Sequence, residues 1–329
     1  MIKAPPFASP LAPHFKAFLD WRRLAGYRLR VTELRLRAWD RFLQGRLLPG
    51  EPLTRKLVEG WLAAHANLCG RTRRQHFYLV CAFCRFLRQT DARTFVPEPW
   101  ARPSQSQTRQ PYLYQPQEIA ALLVAAKQLP VLPDCPLRAA SYHALIWLLA
   151  STGLRVSEAL RLTLADVDLE NGVLRVGETK FRKSRLVPLA RGTTEMLRDY
   201  HHARLQSRLP SQPDSPFFVS RRRRAYSYQV VVSTFVSLLR QTGIRQPAGP
   251  GPRLHDLRHT FAVRRLLEWY RSGADLNSRL PLLSTYLGHA KVSDTALYLH
   301  ATAELLEEAN GRFHNFVKAA LREEGRDEE

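Results

Sequence analysis

Four short segments beyond residue 150 carry side chains that could act together on a phosphate ester. They are TGLRVSEAL around Arg155, GETKFRKSRLVPL around Lys180, LHDLRHTFA around His255 and Arg258, and STYLGHAKVSDTALYLH around His289 and Tyr298. A guanidinium group binds two phosphate oxygens at once and never loses its charge, so it can stabilise the negative charge of a phosphoryl-transfer transition state. Arg155 and Arg258 are therefore the candidates for a phosphate clamp.

Tyr298 is the candidate nucleophile. A tyrosine hydroxyl ordinarily has a pKa of about 10, so it needs a neighbouring base to attack at neutral pH. His255 is the candidate base, and it stands three residues before Arg258. This spacing puts both side chains on one face of a helix.

Two metal sites are the alternatives to this interpretation. His255 and His259 have the i, i+4 spacing of a metal-binding pair, but no glutamate follows His255 directly and no third ligand is evident. Cys81 and Cys84 form a C-x-x-C with another cysteine and a histidine upstream. These two cysteines fall in an apolar helical pattern, where cysteine acts as a small core residue. Both metal sites are disfavoured.

The charge of the chain indicates a polyanionic partner. Lys and Arg number 50 against 29 Asp and Glu, which gives a net charge of +21. Residues 1–105 hold 19 basic and 7 acidic side chains, whereas residues 304–329 hold 4 basic and 8 acidic ones. Both main parts of the chain are therefore suited to binding nucleic acid, and the acidic tail is expected to have a function other than DNA binding.

The composition also indicates the cellular compartment in which the protein works. The longest apolar runs fall far short of the roughly 20 residues that a membrane-spanning helix needs. Prolines interrupt the amino terminus before any apolar stretch of secretory length, and the four cysteines then favour a reducing compartment. We expect a cytoplasmic, nucleoid-associated protein.

The elements that must position these residues divide into two parts. Residues 10–90 show a helical period of apolar side chains throughout, and a linker rich in Pro, Ser and Gln follows over 96–116. The domain boundary is predicted near residue 105. Beyond it, helical patterns cover 117–126, 139–150, 230–239, 254–269, 282–287 and 302–321, and strand patterns cover 173–176 and 185–189. The second domain is predicted to be mainly helical with one small sheet.

In their order along the chain, the four segments resemble those of the tyrosine recombinases of the phage integrase and Xer type. Tyr298 follows His289 by nine positions, as the pattern of that family requires. The resemblance covers nearly the whole chain. It implies a mainly α fold in which residues 1–105 form a helical DNA core-binding domain with its linker. Residues 106–329 would form a mostly helical catalytic domain with a small antiparallel sheet and a docking helix at 302–321.

The resemblance also implies roles for individual residues. Lys180, five residues before the arginine of the VPL strand, would give a proton to the departing 5′ oxygen. His289 would hydrogen-bond the scissile phosphate, and Glu158 would orient the region around Arg155. Such an enzyme needs no metal or nucleotide cofactor, because the covalent bond to tyrosine conserves the energy of the phosphodiester.

The implied activity is that of a site-specific recombinase or integrase. It would cleave and rejoin double-stranded DNA through a 3′-phosphotyrosyl bond, as a homotetramer on paired sites and in some systems with a second recombinase. The biological role would be the movement of a mobile element or the resolution of replicons. The alternatives are a type IB topoisomerase and a non-catalytic DNA-binding accessory protein of the same fold; the compact size disfavours the first, and the complete residue set disfavours the second. The segment from Arg265 to Leu283 exceeds the family spacing, which predicts a loop extension.

Overall fold

A computed structural model describes residues 7–27, 29–98, 110–177, 184–245, 251–289 and 291–296. Three predicted features lie outside these residues: Lys180, Tyr298 and the helix over 302–321. The chain divides into two compact units, Met1–Arg109 and Gln110–Glu329. Each unit has a core of its own, and each is described by itself.

The first unit consists of four helices in its described part. They are α1 (Ala12–Leu24), α2 (Arg30–Leu43), α3 (Arg55–Ala63) and α4 (Gly70–Arg88). Their apolar faces enclose a cluster of aromatic rings in which Trp39 lies 5.4 Å from Phe83 and 5.9 Å from Phe15, centroid to centroid. Large buried rings dominate the energy of such a small core.

The second unit is helical around a small sheet. Its helices are α5 (Pro116–Lys127), α6 (Arg138–Thr152), α7 (Val156–Ala159), α8 (Arg191–Leu205), α9 (Tyr228–Gln241), α10 (Asp256–Arg271), α11 (Leu276–Leu287) and α12 (Ser293–Ala296). Helix α6 is apolar almost all round and packs against α5, α8 and α10. A helix with apolar residues on every face is stable only when it is buried, and α6 forms the centre of this unit.

The sheet has three antiparallel strands in the order β1 (Val167–Asp168), β2 (Val173–Val176) and β3 (Arg185–Pro188). Leu174 lies opposite Val187, and both are fully buried. Because side chains alternate along a strand, this register turns the neighbouring Arg175 and Leu186 away from the core.

Two helices that lead to the functional segments end in left-handed glycines. Gly153 follows α6 with φ of +63°, and Gly288 follows α11 with φ of +67°. At the end of α11 the Gly288 N–H donates to the Thr285 carbonyl and the His289 N–H donates to the Ser284 carbonyl, both at 3.0 Å. This pair of bonds is the Schellman motif, which fixes the backbone of His289 relative to α11.

Glycine is required at both positions by more than its φ. A β-carbon at Gly153 would lie 2.5 Å from the ring of Phe261, and one at Gly288 would lie 2.6 Å from the Arg185 guanidinium. Other side chains therefore approach the backbone closely at these helix ends.

The predicted fold class is confirmed: the described chain is mainly helical with a small antiparallel sheet. The strand patterns match β2 and β3, but α8 and β1 had no counterpart in the sequence interpretation. The loop extension predicted between Arg265 and Leu283 is wrong. Helix α10 continues to Arg271, and α11 begins at Leu276 after a short turn, capped by the Asp275 carboxylate. The length that suggested a loop is taken up by these two helices: Gly273 lies in the turn between them, and α11 contains Pro281.

Within the described residues, no helix is both long enough and apolar enough to cross a membrane.

The aromatic cluster of the first unit gives a stability prediction. Trp39→Ala should lower the free energy of unfolding by roughly 3–5 kcal/mol, because it removes the largest of the fully buried rings and leaves a cavity. Trp21→Ala is the matched control, since the Trp21 residue is 56% exposed against 1% for Trp39. Urea unfolding followed by circular dichroism measures both. Equal losses in the two variants would contradict this assignment of the core.

Candidate active site

Three arginines from different elements converge on the end of α11. The Schellman bonds leave three successive carbonyl oxygens without an intrahelical partner, at residues 286 to 288. Arg185 Nε donates to the Tyr286 oxygen at 2.7 Å, Arg258 Nη2 to the Leu287 oxygen at 2.8 Å, and Arg155 Nη2 to the Gly288 oxygen at 3.0 Å. The carbonyl end of a helix carries partial negative charge, so it is a favourable place to gather cations.

Arg258 is the buried member of this group, with 2% of its surface exposed. It projects from the first turn of α10, and its Nη1 donates to the Gly153 carbonyl at 2.9 Å. One guanidinium group therefore joins the carboxyl ends of α6 and α11 to α10. Its position is fixed by the packing of these three helices.

Arg155 is the accessible member, because 35% of its side chain is exposed. It occupies the N-cap position of α7, and its Nη1 donates to Glu158 Oε1 at 2.9 Å. The Arg155 backbone N–H also donates to Glu158 Oε2 at 3.1 Å. Glu158 thus caps α7 and orients the Arg155 guanidinium at the same time.

Glu158 is shared between two arginines. Its side chain is 2% exposed, and Arg185 Nη2 donates to its Oε2 at 2.9 Å. Burial alone would raise the pKa of Glu158, but the hydrogen bonds and charges of Arg185 and Arg155 outweigh burial and lower the pKa to about 2. The carboxylate is therefore ionised and compensates part of the positive charge of the site.

His289 lies between Arg258 and α12. Its Nε2 is 2.7 Å from Arg258 Nη2, and its Nδ1 is 2.7 Å from Thr295 Oγ1. Desolvation, followed by the charges of Arg258 and Arg155, lowers the pKa of His289 to about 4. The imidazole is accordingly neutral at physiological pH.

His255 stands at the N-cap position of α10, one turn before Arg258. Its ring meets the ring of His259 edge to face, with 5.1 Å between centroids, and the residue remains exposed on its other side. Desolvation by the packed side, together with His259 and Arg258, lowers the pKa of His255 to about 4. A neutral histidine at neutral pH is able to accept a proton.

The structure thus brings together three of the residues singled out in the sequence. Arg155, Arg258 and His289 meet at the end of α11, and Glu158 joins them as the expected orienting group. His255 lies one turn before Arg258, at the start of α10. Lys180, which falls between β2 and β3 in the sequence, and Tyr298, two residues beyond α12, lie outside the described residues.

Sequence reasoning missed two members of this network, Arg185 and Thr295. In the sequence, Arg185 was used only as the position from which Lys180 was counted. An arginine that begins a half-buried strand nevertheless needs a partner for its charge. Thr295 is fully buried, but it follows the polar residues Ser293 and Asp294 in the sequence, which gave no sign of burial. Nothing in its spacing indicated that it would contact His289.

The alternative metal sites gain no support from the described residues. No group of three or more His, Cys, Asp and Glu side chains lies close enough there to hold a metal ion. Cys81 and Cys84 are buried in α4, and desolvation raises the pKa of both thiols. They act as core side chains of the first unit.

The arrangement is suited to binding an oxyanion. Arg258 is held rigidly below the surface, Arg155 is partly exposed, and His289 lies beside Arg258. Guanidinium donors that are fixed before a ligand arrives need little reorganisation when negative charge develops on it.

Comparison with known proteins shows that this chain is similar to integrases and recombinases. Residues 114–304 match the model of the phage integrase family. The Sinorhizobium fredii protein y4rB, which carries an integrase/recombinase name, is 38% identical over 90% of this chain and 94% of its own length. A second protein of that strain with the same type of name, y4rE, is 36% identical over 93% of this chain and 96% of its own length. The tyrosine recombinase XerC of Thermodesulfovibrio yellowstonii is 33% identical over 53% of this chain and 55% of its own length.

Solved structures share the fold. The Tn1549 transposon integrase in complex with circular intermediate DNA superposes with a TM-score of 0.64 at 18% identity, covering 91% of this chain and 99% of that one. The recombinase XerH in its post-cleavage complex superposes with a TM-score of 0.61 at 19% identity, covering 86% of this chain and 78% of that one.

The shared carboxylate gives a prediction for the pH dependence of stability. The pKa of Glu158 falls from its usual 4.5 to about 2 on folding, so its contribution is present above pH 4.5 and is lost as the pH falls towards 2. Glu158→Gln should therefore be less stable than the wild type at pH 7, by on the order of 3 kcal/mol. The difference should shrink steadily below pH 4.5.

Urea unfolding at several pH values between 7 and 3 measures this difference. Glu195→Gln is the control, because it removes a carboxylate from the exposed pair with Arg191, and such pairs contribute less than about 1 kcal/mol. If the wild type and Glu158→Gln respond to acid identically, the carboxylate does not hold the two arginines as described.

Proposed function

This chain is a tyrosine recombinase of the phage integrase family, and we propose that it cuts and rejoins double-stranded DNA at specific sites through a 3′-phosphotyrosyl bond. The observation that carries the proposal is the meeting of Arg155, Arg258 and His289 at the end of α11. Two guanidinium groups and an imidazole in contact form a site for one phosphodiester. The net charge of +21 supports a nucleic-acid substrate.

The proposed reaction begins with Tyr298. Its hydroxyl oxygen attacks the phosphorus, a bond forms between them, and the bond from phosphorus to the 5′ oxygen breaks. His255 accepts the proton of the tyrosine, and Lys180 gives a proton to the departing 5′ oxygen. Attack by the 5′-hydroxyl of another strand reverses these steps and releases the enzyme, so no bond energy is lost and no cofactor is required.

The two arginines act on the phosphoryl oxygens. Negative charge grows on the nonbridging oxygens as the tyrosine attacks, and Arg155 and Arg258 would neutralise it with fork-shaped pairs of hydrogen bonds. Arg258 already makes hydrogen bonds to two helix ends, so it would not need to move far to accept a phosphate. Partial exposure of Arg155 supports a place for that phosphate beside it.

The position of His255, one turn before Arg258, supports its role as the base, and its pKa in the free protein is lowered to about 4. At neutral pH the ring is uncharged and can take a proton without first losing one. The surrounding arginines would stabilise the tyrosinate that forms when the proton leaves.

We place the enzyme with mobile elements rather than with replicon resolution. Similarity to the two integrase/recombinase-named proteins extends over nine-tenths of the chain, whereas similarity to XerC stops at about half. The fold of a transposon integrase covers the chain equally fully. The presence of both relatives in one bacterial strain supports the proposal of a second recombinase as a partner.

We assign the remaining parts of the chain to assembly and DNA contact. The basic residues 1–105 would grip the DNA from a core-binding domain. The acidic helix proposed over 302–321 would bury its apolar stripe of Leu305, Phe313, Phe316 and Leu321 on a neighbouring protomer of a tetramer, at roughly 1.5–3 kcal/mol for each side chain.

Tyr298→Phe tests the nucleophile. Duplexes tiled across the DNA that flanks the gene are screened for binding, and the duplex bound most tightly is nicked and incubated with the protein in EDTA. The wild type should become covalently attached to a 3′ end, and Tyr298→Phe should form no adduct, because phenylalanine has no hydroxyl. Denaturing electrophoresis detects the adduct.

Tyr78→Phe is the control, since Tyr78 is an exposed tyrosine of the first unit. An adduct in Tyr298→Phe would assign the nucleophile to another residue. Loss of wild-type cleavage in EDTA that zinc or magnesium restores would replace the proposed reaction with a metal-dependent one. Relaxation of supercoiled DNA without joining of two sites would indicate a topoisomerase.

Arg155→Gln and Arg258→Gln test the phosphate clamp. Each should bind the same duplex within a few fold of the wild type but cut it about 10²–10³-fold more slowly, because the lost donors act on charge that develops only in the transition state. Arg191→Gln removes an equal charge from an exposed site and should cut normally. Binding is followed by gel shift and cutting by single-turnover kinetics. Normal cutting by either clamp variant would contradict the assignment.

A further inference from the structure

The contacts of His289 determine which of its ring nitrogens carries the proton. A guanidinium group has only N–H donors, so the 2.7 Å contact between Arg258 Nη2 and His289 Nε2 requires that Nε2 accept. A neutral imidazole with an accepting Nε2 carries its proton on Nδ1. The Nδ1–H then donates to Thr295 Oγ1 at 2.7 Å.

This state is opposite to the one that the proposed reaction needs. To donate a hydrogen bond to a phosphate oxygen, His289 must carry a proton on Nε2, the nitrogen that now accepts from Arg258. Gaining a second proton is unfavourable, because desolvation and two arginines hold the pKa of His289 at about 4. The ring can remain neutral only by exchanging one tautomer for the other.

Thr295 has the one property that such an exchange requires of its partner. A hydroxyl group can accept a hydrogen bond or donate one by turning about its C–O bond. Thr295 is fully buried in α12, and its backbone N–H donates to the Val292 carbonyl at 2.8 Å, so the side chain is anchored beside the ring. In the sequence it stands three residues before Tyr298.

We propose that Thr295 is a positioning residue that stabilises each tautomer of His289 in turn: its hydroxyl accepts from Nδ1 while Nε2 accepts from Arg258 in the free enzyme, and by reversing, it lets Nε2 donate to the scissile phosphate in the complex. This inference rests on the proposed function. When DNA binds, the phosphate takes the Arg258 donor, the Nδ1 proton of His289 passes to solvent, and solvent supplies a proton to Nε2. The ring stays neutral, and the Thr295 hydroxyl turns to donate to Nδ1.

The first test needs no DNA and is independent of any activity. Protein labelled with 15N-histidine is examined by nuclear magnetic resonance at pH 7, and the His289 signals are identified by their loss in His289→Gln. The wild type should show a protonated Nδ1 and an unprotonated Nε2. Thr295→Val keeps the shape of the side chain but has no hydroxyl, so a protonated Nδ1 would lose its acceptor, and this loss would oppose the preference that Arg258 imposes on Nε2. This variant should show a mixture of tautomers, and Thr295→Ser should restore the wild-type pattern.

A protonated Nε2 or a charged ring in the free wild type would overturn the proposal, as would an unchanged pattern in Thr295→Val. Thr285→Val is the control for removal of a hydroxyl from the neighbouring helix. Thr285 is exposed in α11 and donates to the Pro281 carbonyl, so its variant should leave the His289 signals alone.

The second test follows the ring in the complex. Tyr298→Phe protein holding the nicked duplex described above should show the His289 proton moved to Nε2. Cleavage by Thr295→Val should be roughly 10–100-fold slower than by the wild type with little change in binding, and Thr295→Ser should recover most of the rate. If Nδ1 stays protonated in the complex, or if Thr295→Val cleaves as fast as the wild type, the inference is wrong. Failure of the wild type to form any adduct would instead refute the proposed function, and the result in the free protein would stand.

Discussion

The carboxyl end of α11 is the feature on which the rest of the site depends. Three successive carbonyl oxygens there accept from Arg185, Arg258 and Arg155. Three guanidinium groups so near to each other repel one another. Arg258 and Arg185 are largely buried, so little water is present to screen this repulsion. The partial negative charge of the helix end and the ionised Glu158 compensate for it. Without these acceptors the cations would separate and the anion site would not exist.

The same cations decide the state of the histidines. Burial and positive neighbours both disfavour an imidazolium, and together they lower the pKa of His255 and of His289 to about 4. Both rings are therefore neutral in the free enzyme. One is available to take a proton, and the other is placed by hydrogen bonds on both of its nitrogens. The positive charge gathered at this site therefore also keeps both imidazoles uncharged.

Helix ends, rather than helix middles, supply most of the site. Arg155 and His255 occupy the N-cap positions of α7 and α10, and His289 follows the glycine that ends α11. A cap residue has a defined backbone conformation, and its side chain lies beside backbone groups that lack partners within the helix. The donors and acceptors of the site are consequently fixed by secondary structure that forms regardless of substrate. This is the preorganisation that electrostatic catalysis requires.

The sequence by itself determined the helical character of both parts, the positions of β2 and β3, and the family, because each depends on spacing within one segment. Apolar period reveals a helix, and the four short segments reveal the family by their order. The sequence did not reveal α8, whose composition is largely polar. It suggested a loop because the segment from Arg265 to Leu283 is longer than the family spacing, whereas helices α10 and α11 take up that length.

Only the tertiary structure decided which groups hold the catalytic candidates in place. Arg155 reaches a carbonyl 133 residues away, Arg258 reaches one 105 residues away, and Arg185 reaches a carboxylate 27 residues away. Thr295 is only six residues from His289, yet its contact depends on the left-handed conformation of Gly288 and on the short helix α12. Such contacts leave no periodic trace in a sequence, since they arise from the way whole helices pack and end, and packing is a property of the assembled core.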